Sequence, residues 1–178
     1  MTEPAPSAFT IRTGSPADAA QLAAFARAVF EQTYGEAIPP GTLARFLAHE
    51  IGDQRVAAEL ADPTQPHLLA WQGGALAGFS RMRQAEPPGE LGLAAPIEIS
   101  RFYVGRAWQG IGLAASLLGE SLTYARRLGQ RSAWLCVWQQ NARALAFYRK
   151  HGFATRGHAI VRVDEIAFDD LVLACDLD

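Results

Sequence analysis

The sequence predicts a mixed α/β fold: an antiparallel sheet half from the first part of the chain, a parallel strand pair further on, and helices on both faces. Three observations carry this. Residues 15–61 show helical apolar periodicity, and residues 67–83 show two strand-like runs divided by a glycine turn. Residues 97–138 then run strand, glycine turn, helix, strand, which has the length and order of a right-handed unit with two parallel strands. With 178 residues, 49% of them apolar, the chain is expected to form one domain, 1–178, around one core.

Residues 9–13 alternate briefly as a first strand. They run into Ser15-Pro16-Ala17-Asp18, where a serine cap, a proline at the first helical position and an acid in the first turn coincide. The helix that starts there carries Leu22, Phe25, Ala26, Val29 and Phe30 on one stripe and ends near Tyr34-Gly35. After Pro39-Pro40-Gly41, the apolar positions Leu43, Phe46 and Leu47, then Val56 and Leu60, indicate two shorter helices divided near Gly52 and closed by Asp62-Pro63. Residues 67–71 and 75–83 form a hairpin around Gln72-Gly73-Gly74, and Glu86-Pro87-Pro88-Gly89 is a loop. A strand at 97–104, a helix from Gly112 to Leu128 capped by Gly129, and a strand at 133–138 follow. A second helix from Asn141 to His151, stopped by Gly152, leads to closing strands near 153–161 and 166–177.

Lysine plus arginine (16) nearly balances aspartate plus glutamate (18), giving a formal charge of −2, so no global field favours nucleic acid or an anionic membrane. Cys136 and Cys175 sit in apolar runs and read as core thiols rather than a disulfide or metal pair, which points to the cytoplasm. His49, His67, His151 and His158 show no metal-ligand spacing, so no metal is expected. Met1 to Ser7 is acidic and proline-containing, and no apolar run approaches the roughly eighteen residues of a membrane span. Neither a signal peptide nor a membrane partner is expected.

The turn Gln109-Gly110-Ile111-Gly112-Leu113-Ala114 lies between a strand and a helix, where unpaired backbone N–H groups and the helix dipole attract an anion. Glycine lets such a backbone wrap a pyrophosphate closely, although glycine spacing alone also fits a plain strand-to-helix turn. A Walker-type loop fails because Gly112 is followed by Leu113-Ala114 rather than Lys-Ser/Thr. A dinucleotide fingerprint needs an acid at the end of the next strand, but that strand ends in Trp138-Gln139-Gln140. The remaining pattern, Gln/Arg-x-x-Gly-x-Gly/Ala, is satisfied at every fixed position.

With that six-residue loop the chain resembles the GNAT superfamily of N-acetyltransferases. The stretch Val137-Trp138-x-x-Asn141-x-x-Ala144-x-x-Phe147-Tyr148-x-x-x-Gly152-Phe153 is similar to the family's second signature. The resemblance covers roughly residues 97–153. It implies the GNAT fold, whose parallel strands splay at their C-terminal ends, and acetyl-CoA as co-substrate. It further implies contacts to the coenzyme from Phe102, Tyr103, Val104, the turn Gln109, Gly110, Ile111, Gly112, Leu113 and Ala114, and from Asn141 and Phe147. Family loops often carry Lys or Arg where this chain has Ile111, so backbone amides must do more of the phosphate binding. Arg126, Arg127, Arg143 and Arg149 read as solvated helix charges, one of which can reach the 3′-phosphate.

An alkyl amine with a pKa of about 10.4 is almost wholly ammonium at neutral pH, and freeing it costs on the order of 4 to 5 kcal/mol, so a base is needed. By resemblance to histone-acetylating members the base is Glu98. Simple strand alternation places Glu98, Ser100, Phe102 and Val104 on one face and Arg101 on the other. The competing readings for Glu98 are a carboxylate paired with an arginine and a base acting through water. Tyr148 is the implied general acid, against plain aromatic packing; Phe147 reads as packing. Asn141 is a helix N-cap on physical grounds, and the Val104 N–H is a candidate donor to the thioester carbonyl. Trp134 and Trp138 share a strand face and are expected to fill the core.

The acceptor is expected to be a small-molecule amine. Phe30-Glu31-Gln32-Thr33-Tyr34-Gly35 and the strand through Glu98 are similar to bacterial spermidine/spermine N-acetyltransferases, with Glu31, Glu36, Glu50 and Asp53 as acids that could receive a polyamine. Those acids could equally solvate helix surfaces. A non-enzymatic acyl-CoA sensor and an enzyme acting on a protein or peptide amine are the alternatives, and a homodimer is left open.

Overall fold

The computed structural model describes residues 9–177. The expectation about Met1 to Ser7 falls outside them. In chain order the elements are β1 (Thr10–Thr13), α1 (Ala19–Tyr34), α2 (Pro40–Glu50), α3 (Asp53–Ala61), β2 (His67–Gln72), β3 (Ala75–Arg83), β4 (Pro96–Val104), α4 (Leu113–Arg127), β5 (Ser132–Trp138), α5 (Ala142–Lys150), β6 (Ala154–Val163) and β7 (Ile166–Asp176). A 3-10 turn at Pro16–Asp18 precedes α1. There the Asp18 carboxylate accepts from the Ser15 amide at 2.8 Å and from Arg12 at 2.6 and 2.9 Å. The Arg12 hydrogen bonds hold that carboxyl well below its usual pKa range and tie β1 to the start of α1.

One seven-stranded sheet runs in the order β1-β2-β3-β4-β5-β7-β6. All neighbours are antiparallel except β4 and β5, which are parallel. Helices cover both faces, as the periodicity predicts. On one face Leu113, Leu117 and Leu118 of α4 and Leu145 of α5 pack against Met82, Ile97, Leu135 and Leu173. On the other, Leu22 and Phe30 of α1, Leu43 of α2 and Val56 of α3 pack against Leu69, Phe79 and Phe168. At about 25 cal/mol per Å² of apolar area removed from water, the two layers supply most of the driving force for folding.

Two features of β4 create the site. Its parallel pairing with β5 joins only Pro96, Ile97 and Glu98 to Ser132, Ala133 and Trp134. Beyond Glu98, β4 stays with β3 as far as Val104 while β5 stays with β7 as far as Trp138, so the sheet opens between them. The second feature is a β-bulge. Arg81 pairs with Arg101 but Met82 pairs with Ile99, leaving Ser100 as an extra residue on β4. The bulge corrects the alternation expected from sequence. Ile97, Ile99, Phe102 and Val104 all pack on the α4–α5 face. Glu98, Arg101 and Tyr103 share the α1–α3 face, where Arg101 reaches Glu59 on α3 and Tyr103 joins the α1 layer.

Candidate active site

A cleft of about 1120 Å³ passes through the opening between β4 and β5 and is lined from both faces of the sheet. On the α4–α5 face its floor is the glycine turn. Gly110 and Gly112 adopt φ of 82° and 89°, the left-handed region, and Gly112 caps the N-terminus of α4. A Cβ built at either glycine would meet nothing within 4 Å, so the turn presents open backbone beside the first-turn amides of α4. Gln109 braces it: its Nε2 donates to the Val104 carbonyl at 3.0 Å, and its Oε1 accepts from Arg143. Arg106, Arg143, Lys150 and His151 add cationic or polar edges to this side. Of the four arginines considered for a 3′-phosphate, only Arg143 lines the cleft.

Asn141 caps α5, its Oδ1 accepting from the Ala144 amide at 3.1 Å. The cap turns α5 so that Phe147 stacks on Phe102, with centroids 5.9 Å apart at 25°, and Tyr148 lies buried between Phe102, Phe147 and Phe153. Burial, with a smaller effect from Tyr103, pushes the Tyr148 hydroxyl well above the ordinary tyrosine pKa, so it stays protonated throughout the physiological range.

The α1–α3 face presents a different chemistry. Buried Glu59 gathers three guanidinium groups, Arg101 at 2.9 Å, Arg81 at 3.3 Å and Arg55 at 3.5 Å. Burial, and then the like charge of Arg101, push Arg81 down to about 10. Glu98 is buried and its carboxylate is bound by Arg83, whose own pKa is raised by that hydrogen bond. The hydroxyls of Tyr34 and Tyr103 influence each other, and burial drives both upward, Tyr103 to about 12.

The structure brings Glu98, Tyr148, Phe102, Tyr103, Val104, Gln109, Gly110, Gly112, Ala114, Asn141 and Phe147 to one cleft. It does not bring Ile111 and Leu113 there by their side chains. Ile111 is 54% exposed and Leu113 is fully buried under the sheet, so only their backbone can serve a ligand. Trp134 is buried as expected, its Nε1 donating to Ala85. Trp138, expected in the core, does pack against the α1–α3 layer between Tyr34 and Phe168 but is only half-buried, and its open side lines the cleft because the neighbouring strand that would have covered it departs there. The acids considered for a polyamine divide: Glu50 is held by Arg55 at 2.8 Å, Asp53 by Arg27 at 2.8 Å, and Glu31 and Glu36 are exposed.

One residue of the cleft was not foreseen. Asp170 on β7 is buried, and its Oδ1 has no hydrogen-bond partner among the described residues. Burial, then the charge of Asp169, push it up to about 6. The signal was available: Phe168, Asp170, Val172 and Ala174 occupy one face of β7, and Asp170 is the one buried polar residue on that face, the other acid on it, Asp176, lying exposed at the strand's end. A second hollow of about 500 Å³ abuts the cleft, sharing Trp138, Gln140 and Phe168 and adding Glu36 and Asp169.

Comparison with known proteins agrees with this geometry. The sequence profile described as the acetyltransferase (GNAT) family matches residues 26–153. An uncharacterized N-acetyltransferase of Mycobacterium tuberculosis is 30% identical over 160 residues, which span 90% of this chain and 98% of that relative. Another, from Lactobacillus delbrueckii subsp. lactis, is 26% identical over 159 residues, 89% of this chain and 92% of its own. Among solved structures, PaiA N-acetyltransferase of Thermoplasma acidophilum in complex with coenzyme A superposes with a TM-score of 0.78 at 19% identity, covering 95% of this chain and 99% of that one. The Salmonella typhimurium protein yncA, solved with its cofactor acetyl-CoA, gives a TM-score of 0.67 at 21% identity over 97% of this chain and 95% of its own.

Proposed function

The chain belongs to the acetyltransferase (GNAT) family, and we propose from that premise that it moves an acetyl group from acetyl-CoA onto a primary amine of a small molecule. The observation that carries this reading is the continuous cleft, which joins an anion-binding turn on one face of the sheet to a walled chamber on the other. The two fold neighbours solved with coenzyme A or acetyl-CoA support the same co-substrate here. The turn fits a pyrophosphate on its own merits, with two left-handed glycines, open space where side chains would stand, and Arg143 beside it.

Bound there, acetyl-CoA supplies an activated acyl thioester. The residues of this chain would do the rest. Gly110, Gly112 and the first-turn amides of α4 hold the phosphates, and Phe102 and Phe147 wall the arm that enters the opening. The Val104 N–H would polarise the acyl carbonyl, and the Tyr148 hydroxyl, kept protonated by burial, would return a proton to the departing sulfur. One of the two buried carboxylates of the acceptor chamber takes the amine's proton. Glu98 is held by Arg83, so it can serve only through water or by yielding that partner. The hollow beside the chamber, with Glu36 and Asp169, supports an acceptor that carries a second ammonium group, as a polyamine does.

Thiol release from acetyl-CoA, measured against a panel of amines that includes spermidine, n-butylamine, an amino acid and a peptide, tests this. Turnover with alkyl amines above the amine-free background is expected. No turnover with any amine by protein that binds acetyl-CoA would leave a coenzyme-binding protein without the transfer.

A further inference from the structure

We propose that Asp170 is the carboxylate that receives the acceptor's ammonium group and takes its proton. The proposal deepens the acetyl-transfer reading and rests on it for the chemical step. Four carboxylates are buried among the described residues, and three of them, Asp18, Glu59 and Glu98, each hold a guanidinium. Asp170 holds none. It is 7% exposed, it lines the cleft, and its Oδ1 is without a partner. A carboxylate taken out of water without a donor is costly in a folded protein, and such a group persists where a ligand supplies the missing charge.

The walls around it name that ligand. Trp138 stands opposite Asp170 in the β5–β7 register, and Phe168 lies two residues earlier on the same face of β7. With Tyr34 of α1 these rings form a mutual cluster, with centroid separations of 5.4 Å for Trp138 and Phe168, 5.6 Å for Tyr34 and Phe168, and 5.9 Å for Tyr34 and Trp138. Aromatic faces beside a lone buried carboxylate suit an organic ammonium, which gains from both the ring quadrupoles and the anion. They do not suit a neutral or anionic acceptor head.

The ionisable groups that feel the Asp170 charge are the Cys136 thiol on β5, raised to about 12 by burial and then by Asp170, the Tyr34 hydroxyl on α1 and the Tyr103 hydroxyl on β4. Asp169 lies beside it on β7. From β6 the residue opposite is the uncharged Ala159, and Arg162 lines the cleft further along that strand. Burial and Asp169 raise Asp170 to about 6, above the ordinary carboxylate range and below neutrality, so at about pH 7.5 it is ionised and able to take a proton.

The step balances as follows. One N–H proton of the ammonium passes to the Asp170 carboxylate, and the freed nitrogen lone pair forms the bond to the acyl carbon as the carbon–sulfur bond breaks. The second proton lost by nitrogen goes to the departing sulfur by way of Tyr148, giving free thiol. Asp170 then releases its proton to solvent, so the sum is amide, thiol and one proton from ammonium and thioester.

The test measures kcat/KM for spermidine and n-butylamine from pH 5 to 9 in the wild type, Asp170→Asn and Asp170→Ser, with acetyl-CoA thermal shifts to establish that each variant is folded and loaded. The wild type is expected to lose activity below an apparent midpoint near pH 6. Asp170→Asn should lose that limb and fall roughly a hundredfold or more at pH 7.5. A wild-type profile with no limb near 6, or a folded Asp170 variant within twofold of wild type, overturns the proposal. Calorimetric binding of n-butylammonium separates it from the reading on which it rests. If no amine is acetylated, binding that Asp170→Asn weakens tenfold or more sustains the ammonium site while the transfer reading fails. Equal binding, or none to the wild type, overturns the site itself.

Discussion

The two sides of the opening are built by opposite strategies. On the side proposed for the coenzyme the available groups are backbone: amides of one short turn, a helix N-terminus and the end of β4, with Gln109 as a brace between Val104 and Arg143. On the side proposed for the acceptor they are side chains drawn from α1, α3, β3, β4, β5 and β7, and most of them neutralise one another around Glu59 and Glu98. A site made of backbone tolerates side-chain drift and is written in a few consecutive letters. A site made of side chains from six elements can change its ligand by single substitutions, and it leaves no contiguous motif.

The largest effect is expected at Tyr148, which stands where the two sides meet. Tyr148→Phe keeps the ring packing against Phe102 and Phe153 and removes only the hydroxyl. If that hydroxyl returns the proton, kcat falls roughly ten- to thousandfold with KM for acetyl-CoA unchanged. Steady-state kinetics with both substrates varied checks this, and an unchanged kcat assigns Tyr148 to packing.

Asp170 gives the next effect, in stability rather than rate. Pushed up to about 6 in the folded state, its pKa lies above the ordinary aspartate value of about 3.9, so the folded state holds the proton more tightly than the unfolded one. Stability is therefore greatest below about pH 4 with respect to this group, declines as the pH rises through the window up to 6, and carries the full penalty at neutrality. At 1.36 kcal/mol per unit that penalty is at most about 3 kcal/mol. Asp170→Asn should raise the chemical-denaturation stability at pH 7.5 by up to that amount, with a gain that vanishes toward pH 4. A variant that is less stable than wild type at pH 7.5 would mean that Asp170 is structurally paired in solution.

The same contrast explains what could be read from the chain. The helices and strands followed from apolar period and from punctuation such as Pro16, Gly35, Gly129 and Gly152, because those signals are local. The glycine turn before α4 followed too, since its pattern occupies six consecutive positions. What could not be read was the bulge at Ser100, which depends on how β4 pairs with β3 and turns Phe102 to the face opposite Glu98. Asp170 was hidden for a related reason. Its isolation is a fact about which guanidinium groups reach which carboxylates, and Arg83, Arg81 and Arg101 reach Glu98 and Glu59 across many residues of sequence. Trp138 looked like core because the strand carries no mark of where its parallel partner leaves it.

On the coenzyme side, a hundredfold excess of acetyl-CoA over Kd should stabilise the fold by about 2.7 kcal/mol, a rise in Tm of roughly 5 to 10 °C for a chain of this size. Gly112→Val should abolish the rise. An added Cβ meets nothing there, so the damage comes from forcing a β-branched residue out of φ 89° and reshaping the turn, not from a clash with the protein. The acceptor chamber should be untouched, and n-butylammonium binding by Gly112→Val should match wild type. A thermal shift that survives in a folded Gly112→Val protein would detach the coenzyme from this turn.

The smallest effect tests how far the acceptor side extends. Glu50 and Asp53 are already committed to Arg55 and Arg27, and Glu31 lines neither hollow, so of the four helix acids considered Glu36, with Asp169 across the neighbouring hollow, is the one placed for a second ammonium. Glu36 is exposed, and a charge contact there is worth about 0 to 1 kcal/mol and is screened at physiological salt. Glu36→Gln should therefore raise KM for spermidine by no more than about fivefold, leave KM for n-butylamine unchanged, and flatten the salt dependence of spermidine kcat/KM. Asp169→Asn should act in the same direction, with an added downward drift of the acid limb, because Asp169 is the second cause of the raised Asp170 pKa. An equal change for spermidine and the monoamine would confine recognition to the single ammonium at Asp170 and remove the polyamine preference.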